Sequence, residues 1–385
     1  MRLVRSVLVP LLFFTASSAS AQALRLTKPA VRLSHQFSVI SGFRELADGA
    51  VLVSDGIDDV LLRINLSTQR IDTVGRAGQG PGEYRSPDAL FALPNGATLM
   101  VDLGNARLAS YDGAGRYRES FPIVQGQPGS APGPIPMVIP RAIDGQGRIY
   151  FQPPPFDPRA DSGAIVRWDR SASRFDTVAR VRLPALVTKS SGGPNSRRMS
   201  QRPPPYPSQE AWTAGPDGRV AIVRAPIYRV DWIAANGARV VGKPVSTTPV
   251  PVRDPEKKEY LAEQATNGLS VSVSNVNGQV SMQFRRGTAN RDDDDEADLS
   301  GPEWPSTKPA VTGVLSVAPD GRLWVERSVA AGAPRIYDVV GPAGEVQTTV
   351  TLPPGRRLLA VGAHGLYARQ LDSDGISYLE RYDLK

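Results

Sequence analysis

Apolar and polar side chains alternate with a period of two in many short runs along this chain, and the runs come in pairs hinged on glycine. Ala50-Val51-Leu52-Val53, Thr98-Leu99-Met100-Val101 and Leu323-Trp324-Val325 each follow such a hinge. The hinges are Asp48-Gly49, Asn95-Gly96, Gln146-Gly147, Asp217-Gly218, Asp320-Gly321 and His364-Gly365. Asn-Gly and Asp-Gly tolerate positive φ at the centre of a tight turn, so each marks a strand folding back on the next. A hairpin signal repeated six times in one chain predicts an all-β fold: a six-bladed β-propeller of four-stranded antiparallel blades.

Each unit reads as four strands separated by turn residues. In the second, these are Asp88 to Leu93, Thr98 to Asp102, Leu108 to Asp112 and Tyr117 to Ile123. The fifth runs from Val314 to Leu352 in the same way. The sixth supplies only three strands, Leu358 to Val361, Gly365 to Gln370 and Ser377 to Leu384. A blade left so has an open edge. The spare strand Ala30 to Ser34, ahead of unit one, is expected to pair beside the last strand and close the ring. Unequal spacing of the hinges places insertions at 124–140, 184–211 and 246–312. All three join strand four of one unit to strand one of the next, which puts them on one face and makes that face the expected binding face. The third insertion holds the one convincing helix, Asp254 to Thr266, between blades four and five, with Pro255 in its first turn and Asn267-Gly268 as its stop.

The stretch Gly75-Arg76-Ala77-Gly78-Gln79-Gly80-Pro81-Gly82-Glu83-Tyr84-Arg85-Ser86-Pro87 precedes a strand, the Asn95-Gly96 turn, a second strand, and then Asp102-Leu103-Gly104-Asn105-Ala106-Arg107. A glycine-rich lead-in followed by Asp…Asn-x-Arg after strand two resembles the repeat of NHL-type six-bladed propellers. Unit one keeps Asp55 and Asp58 but has Val60 in place of the arginine, and units three to six keep the strands without the motif. The motif match covers about a quarter of the chain, and the whole resembles exported bacterial six-bladed propellers, a family largely without assigned function.

The first 23 residues read as a secretory leader: Arg2 and Arg5, a short apolar run from Val7 to Phe14, and small-x-small sites ending at Ala21 and Ala23. Residues 24–385 then form the propeller, in the periplasm or outside the cell. No stretch has the roughly 18 consecutive apolar residues that spanning needs. The chain has no cysteine, so it carries neither disulfides nor a lipid on cysteine. Removal of Arg2 and Arg5 lowers the net charge from +7 to +5. For an exported basic protein the expected partner is a protein or envelope polymer, an acidic one included, rather than nucleic acid. A monomer is expected.

Catalytic chemistry is sparsely provided. The only histidines are His35 and His364, and no Gly-x-Ser-x-Gly elbow occurs. The Gly75 to Pro87 stretch lacks the following helix and the Lys-Ser/Thr pair of a phosphate loop. Gly237 to Lys243 has P-loop spacing but ends in Pro244, inside a hairpin. The acidic run Arg291 to Asp298 lacks the spacing of a calcium loop. Trp168 and Trp232 read as buried strand aromatics. No metal or cofactor is therefore assigned. Starts of first strands should line the central channel, including Arg44, Asp88 and Arg141. On the insertions, Arg197, Arg198 and Arg202, with Tyr206 held outward by the proline-rich Arg202 to Pro207 segment, complete the binding-face candidates. These features favour a non-enzymatic binding or scaffold module of the cell envelope. The alternative is a calcium-dependent hydrolase, lactonase-like, acting at the channel mouth.

Overall fold

The computed structural model describes residues 22–384, except 125–136, 155–156, 158, 185–186, 192–197, 268, 277–278 and 287–303. The chain forms a six-bladed β-propeller of four-stranded antiparallel meanders. The first strands of the blades are Gly42–Glu45, Pro87–Ala92, Pro140–Ile143, Ala211–Ala214, Val311–Val317 and Arg356–Gly362. Each touches the first strand of the next blade, and the sixth touches the first, so these strands form the closed inner ring.

The sequence predicts strands in which apolar and polar side chains alternate. Strands near the middle of each blade are instead buried on both faces, as in Val51–Asp55, Thr98–Asp102 and Val220–Arg224. The reason is packing between blades. Each of the six apolar clusters lies between two neighbouring blades: Leu99, Val101, Ile149 and Phe151 join blades two and three, and Val51, Val53, Tyr367 and Leu379 join blades one and six. Trp168 and Trp232 are buried as expected. Glycine is required at the hairpins. Asn95 and Gly96 have φ of 58° and 74°, and the glycine of each of the other five hinges also has positive φ.

Closure follows the expected route and goes further. Val31–Arg32 pairs antiparallel with Ser377–Tyr382 and completes blade six. Leu33, one residue on, is fully buried between blades six and one. Gln22–Arg25 adds a parallel fifth strand to blade five, beside Val346–Thr351. That strand was not expected, because Gln22 and Ala23 read as the end of the leader. The rest of the leader lies outside the described residues. The helix of the third insertion, α1, spans Asp254–Asn267, and no helix among the described residues is long and apolar enough to cross a membrane. The insertions also contain two hairpins, Val187–Ser191 with Arg198–Arg202 and Leu269–Val276 with Gln279–Arg286.

Candidate functional site

Two insertions meet on the ring around α1. The Glu256 carboxylate in its first turn accepts the N–H groups of Arg253 (3.1 Å) and Ala331 (2.9 Å), fastening the start of the helix to blade five. The Ala331 bond is the main reason its carboxyl lies below the ordinary range. Tyr206, from the second insertion, donates its hydroxyl to the Glu256 carbonyl at 2.6 Å. Its ring packs on Tyr260 of α1 at 4.9 Å and near Trp304 at 6.2 Å. The Lys308 ammonium stands 5.3 Å over the same ring. Burial, then the field of Glu259 and Glu263, raises the Tyr206 hydroxyl far above its usual pKa. Tyr206 is therefore turned inward as the clasp between insertions, which corrects the outward placement expected from its proline-rich segment. Together with Tyr206, the prolines line the outer side of this junction. Pro204, Pro205, Pro207, Pro249, Trp304 and Lys308 are among the walls of a cleft of about 620 Å³.

Behind the clasp lies a network of charges. Lys308, buried, donates to Glu259 Oε2 and to the Val329 carbonyl, both at 3.0 Å. Arg335 meets Glu259 at 2.9 Å and Glu263 at 3.0 Å, both on α1. Arg357, at the start of the inner strand of blade six, holds Glu326 with two bonds of 2.9 Å and reaches Glu263 at 3.2 Å. Glu326 is fully buried and also accepts the Tyr337 hydroxyl at 2.9 Å. Burial first, and Glu326 second, push that hydroxyl well above its usual pKa. Arg369 is the direct cross-strand neighbour of Arg357. None of these residues was among the site candidates expected from the sequence. They come from α1, the segment at Lys308 and the hairpins of blades five and six, and only the folded ring brings them together.

Apart from Tyr206, the predicted candidates lie elsewhere. Arg44 donates to the carbonyls of Ala97 (2.5 Å) and Gly96 (3.2 Å) and to Thr98 Oγ1, so it fastens the first hairpin of blade two, and burial pushes its pKa down to about 10. Asp88 is buried rather than presented, and its backbone carbonyl accepts the Ser54 hydroxyl at 2.6 Å. Arg141 sits 5.7 Å over the Trp212 ring, and although its surface stays accessible, burial lowers its pKa. Arg198 and Arg202 fall in the hairpin of the second insertion; their side chains, Arg197 and the acidic run 291–298 lie outside what is described. Among the described residues no group of three or more His, Cys, Asp or Glu is arranged to hold a metal ion.

The motif of blade two has a clear structural task. Asp102 accepts Asn105 Nδ2, Arg107 Nε and the Arg85 N–H, each at 2.8 Å. Arg107 then donates to the carbonyls of Gln79, Gly80 and Glu83, and Asn105 to that of Gly78. The motif thus clamps the glycine-rich loop to its blade. Blades four and five use the reverse polarity: Arg224 and Arg327 end strand two, and each pairs at 2.7 Å with an aspartate in strand three, Asp231 and Asp338.

No protein-family model matches the sequence, and no curated protein matches it. Solved structures similar in fold include a DUF4221 family member from Bacteroides vulgatus, with 10% identity, a TM-score of 0.48, and coverage of 92% of this chain and 96% of that one. A calcium-binding regucalcin from Agrobacterium tumefaciens shares 11% identity at a TM-score of 0.41, over 94% and 98% of the two chains. Virginiamycin B lyase from Staphylococcus aureus shares 14% at 0.37, over 92% and 87%. These likenesses concern the propeller fold alone.

Proposed function

We propose that this chain is an exported, NHL-type propeller that serves as a binding module in the cell envelope and meets its ligand on the side carrying the insertions. The observation that carries the reading is the cleft where the second and third insertions join, about 620 Å³ in volume. Rigid prolines and an aromatic wall bind at little entropic cost, and a basic chain suits an acidic protein or polymer. The clamp of Asp102, Asn105 and Arg107 on the glycine-rich loop supports the NHL comparison. The N-terminal strand bears on where a leader would be cut. Cleavage after Ala21 leaves the strand Gln22–Arg25 whole, whereas cleavage after Ala23 removes half of it.

The alternative, a calcium-dependent lactonase, needs carboxylates free to turn toward an ion. Glu259, Glu263 and Glu326 are each engaged by arginine or lysine, so calcium would have to displace those cations. The two readings part in one calorimetric experiment. The mature chain is titrated with polygalacturonate, as an acidic polymer, and separately with calcium chloride, and lactone hydrolysis is followed with and without the ion. Salt-sensitive polymer binding that Trp304→Ala weakens is the expected result. Calcium binding accompanied by lactone turnover overturns it.

A further inference from the structure

Arg357 and Arg369 stand directly opposite each other on the first two strands of blade six. Like charges so placed repel, and two carboxylates lie against Arg357. They do so in different ways. Glu326 belongs to the second strand of blade five and is fixed there by Arg357 and the Tyr337 hydroxyl. Glu263 belongs to α1. Its Oε1 lies 3.0 Å from Arg335 and 3.2 Å from Arg357. Arg369 lies in the same field: burial, then Arg357, lowers its pKa, while Glu263 and Glu326 oppose the shift.

The attachment of α1 is uneven. Its first turn is fastened by the Glu256 bonds and the Tyr206 clasp. Farther along, Glu259 and Glu263 tie it to the ring by ion pairs. We infer that Arg335, Arg357 and Arg369 form a site for the carboxylate group of a ligand, and that Glu263 occupies this site as an internal stand-in. When α1 withdraws, Glu259 leaves with Glu263, and Glu326 remains as the described carboxylate facing three guanidinium groups. Arginine forks match a carboxylate in geometry and charge. Ligand binding and the position of α1 are then coupled, because both carboxylates compete for the same donors. The site deepens the binding reading and rests on it for the side of the ring that meets the ligand. Its affinity for carboxylate is measurable separately.

The test uses the full mature chain at low salt, titrated with citrate as a free acid and with polygalacturonate as a polymer. Glu263→Gln removes the stand-in with little change of shape. Citrate is expected to bind this variant about tenfold or more tightly than wild type, the scale of one charge-assisted bond. Arg369→Met in the same background should abolish the gain. Glu263→Ser gives the same readout if the glutamine variant does not fold. A larger gain with polygalacturonate than with citrate assigns the carboxylate to a polymer, and the reverse assigns it to a small acid. No gain in citrate affinity, or a gain that survives Arg369→Met, overturns the site. If citrate binds the variant as expected but polygalacturonate binds no form of the chain, the site stands and the acidic-polymer partner falls.

Discussion

The clamp of blade two and the network beneath α1 are built from the same chemistry, arginine against carboxylate, yet they do different work. In the clamp, the arginine spends most of its donors on backbone carbonyls, and all partners lie within 30 residues of one another. It organises one loop. In the network, the arginines meet side chains carried by a separate insertion, up to 94 residues away. A backbone carbonyl cannot leave without unfolding its segment. A side chain on a fastened helix can. The contrast separates a device that makes the fold from one that a ligand can operate, and it shows why a recognisable motif need not be the functional site.

The largest effect is expected at the ring closure, which neither region provides. Deleting residues 22–36 removes two strands and the buried Leu33, a side chain that alone contributes about 1.5–3 kcal/mol. Loss of cooperative melting by circular dichroism is expected, and an unchanged melt would show the ring closing without it. Next, Asp102→Ala leaves Arg107 and Asn105 without their central acceptor. A cost of about 3–5 kcal/mol in urea unfolding is expected for a buried pair broken on one side. A cost below about 1 kcal/mol would erase the distinction between clamp and network.

A third test concerns the seam between blades six and one. Burial raises the Glu45 carboxyl, but hydrogen bonds from Tyr367, His364 and Ala363 outweigh it, and its folded pKa lies below the ordinary glutamate range. The stabilisation is therefore present above the unfolded pKa and is lost as pH falls through the folded one. Wild type should lose melting temperature below about pH 4.5, and Glu45→Gln should flatten that slope; parallel slopes would remove Glu45 from the seam. The smallest effect belongs to α1. Glu263→Gln should cost about 1 kcal/mol or less. In 1 M salt, where screening is nearly complete beyond about 3 Å, the backbone amides of Leu261 to Gln264 should exchange with solvent faster while the clamp stays closed. Equal protection at low and high salt would mean that α1 is held by more than its ion pairs.

The propeller was legible because its signals are local. A turn glycine with positive φ and the alternating run after it identify a hairpin without knowledge of the rest of the chain. The closing strand was legible for a related reason: three strands in unit six required a fourth. The fifth strand of blade five carried no such requirement, and its first residues resemble a cleavage region. Tyr206 was misplaced because stiffness of a proline-rich segment fixes its shape but not the direction in which it packs. Arg335, Arg357 and Glu263 were invisible for a deeper reason. Their meeting depends on which strand lies beside which, and on where a 67-residue insertion returns to the ring. The reversed polarity of Arg224 with Asp231 and Arg327 with Asp338 did leave a trace, an arginine closing strand two with an aspartate soon after.

The N-terminal arm also sets an order of events. Val31–Arg32 is made long before its partner Ser377–Tyr382. Five blades can form as the chain emerges, yet the sixth must wait for the earliest residues to find the latest. Until then the ring has two open strand edges, and the cluster uniting Val51 and Leu379 is exposed in halves. Locking is thus a single late event spanning nearly the whole chain, a non-local pairing of the kind that slows folding. Any process that must handle this protein in an unlocked form has until the last strand appears to do so.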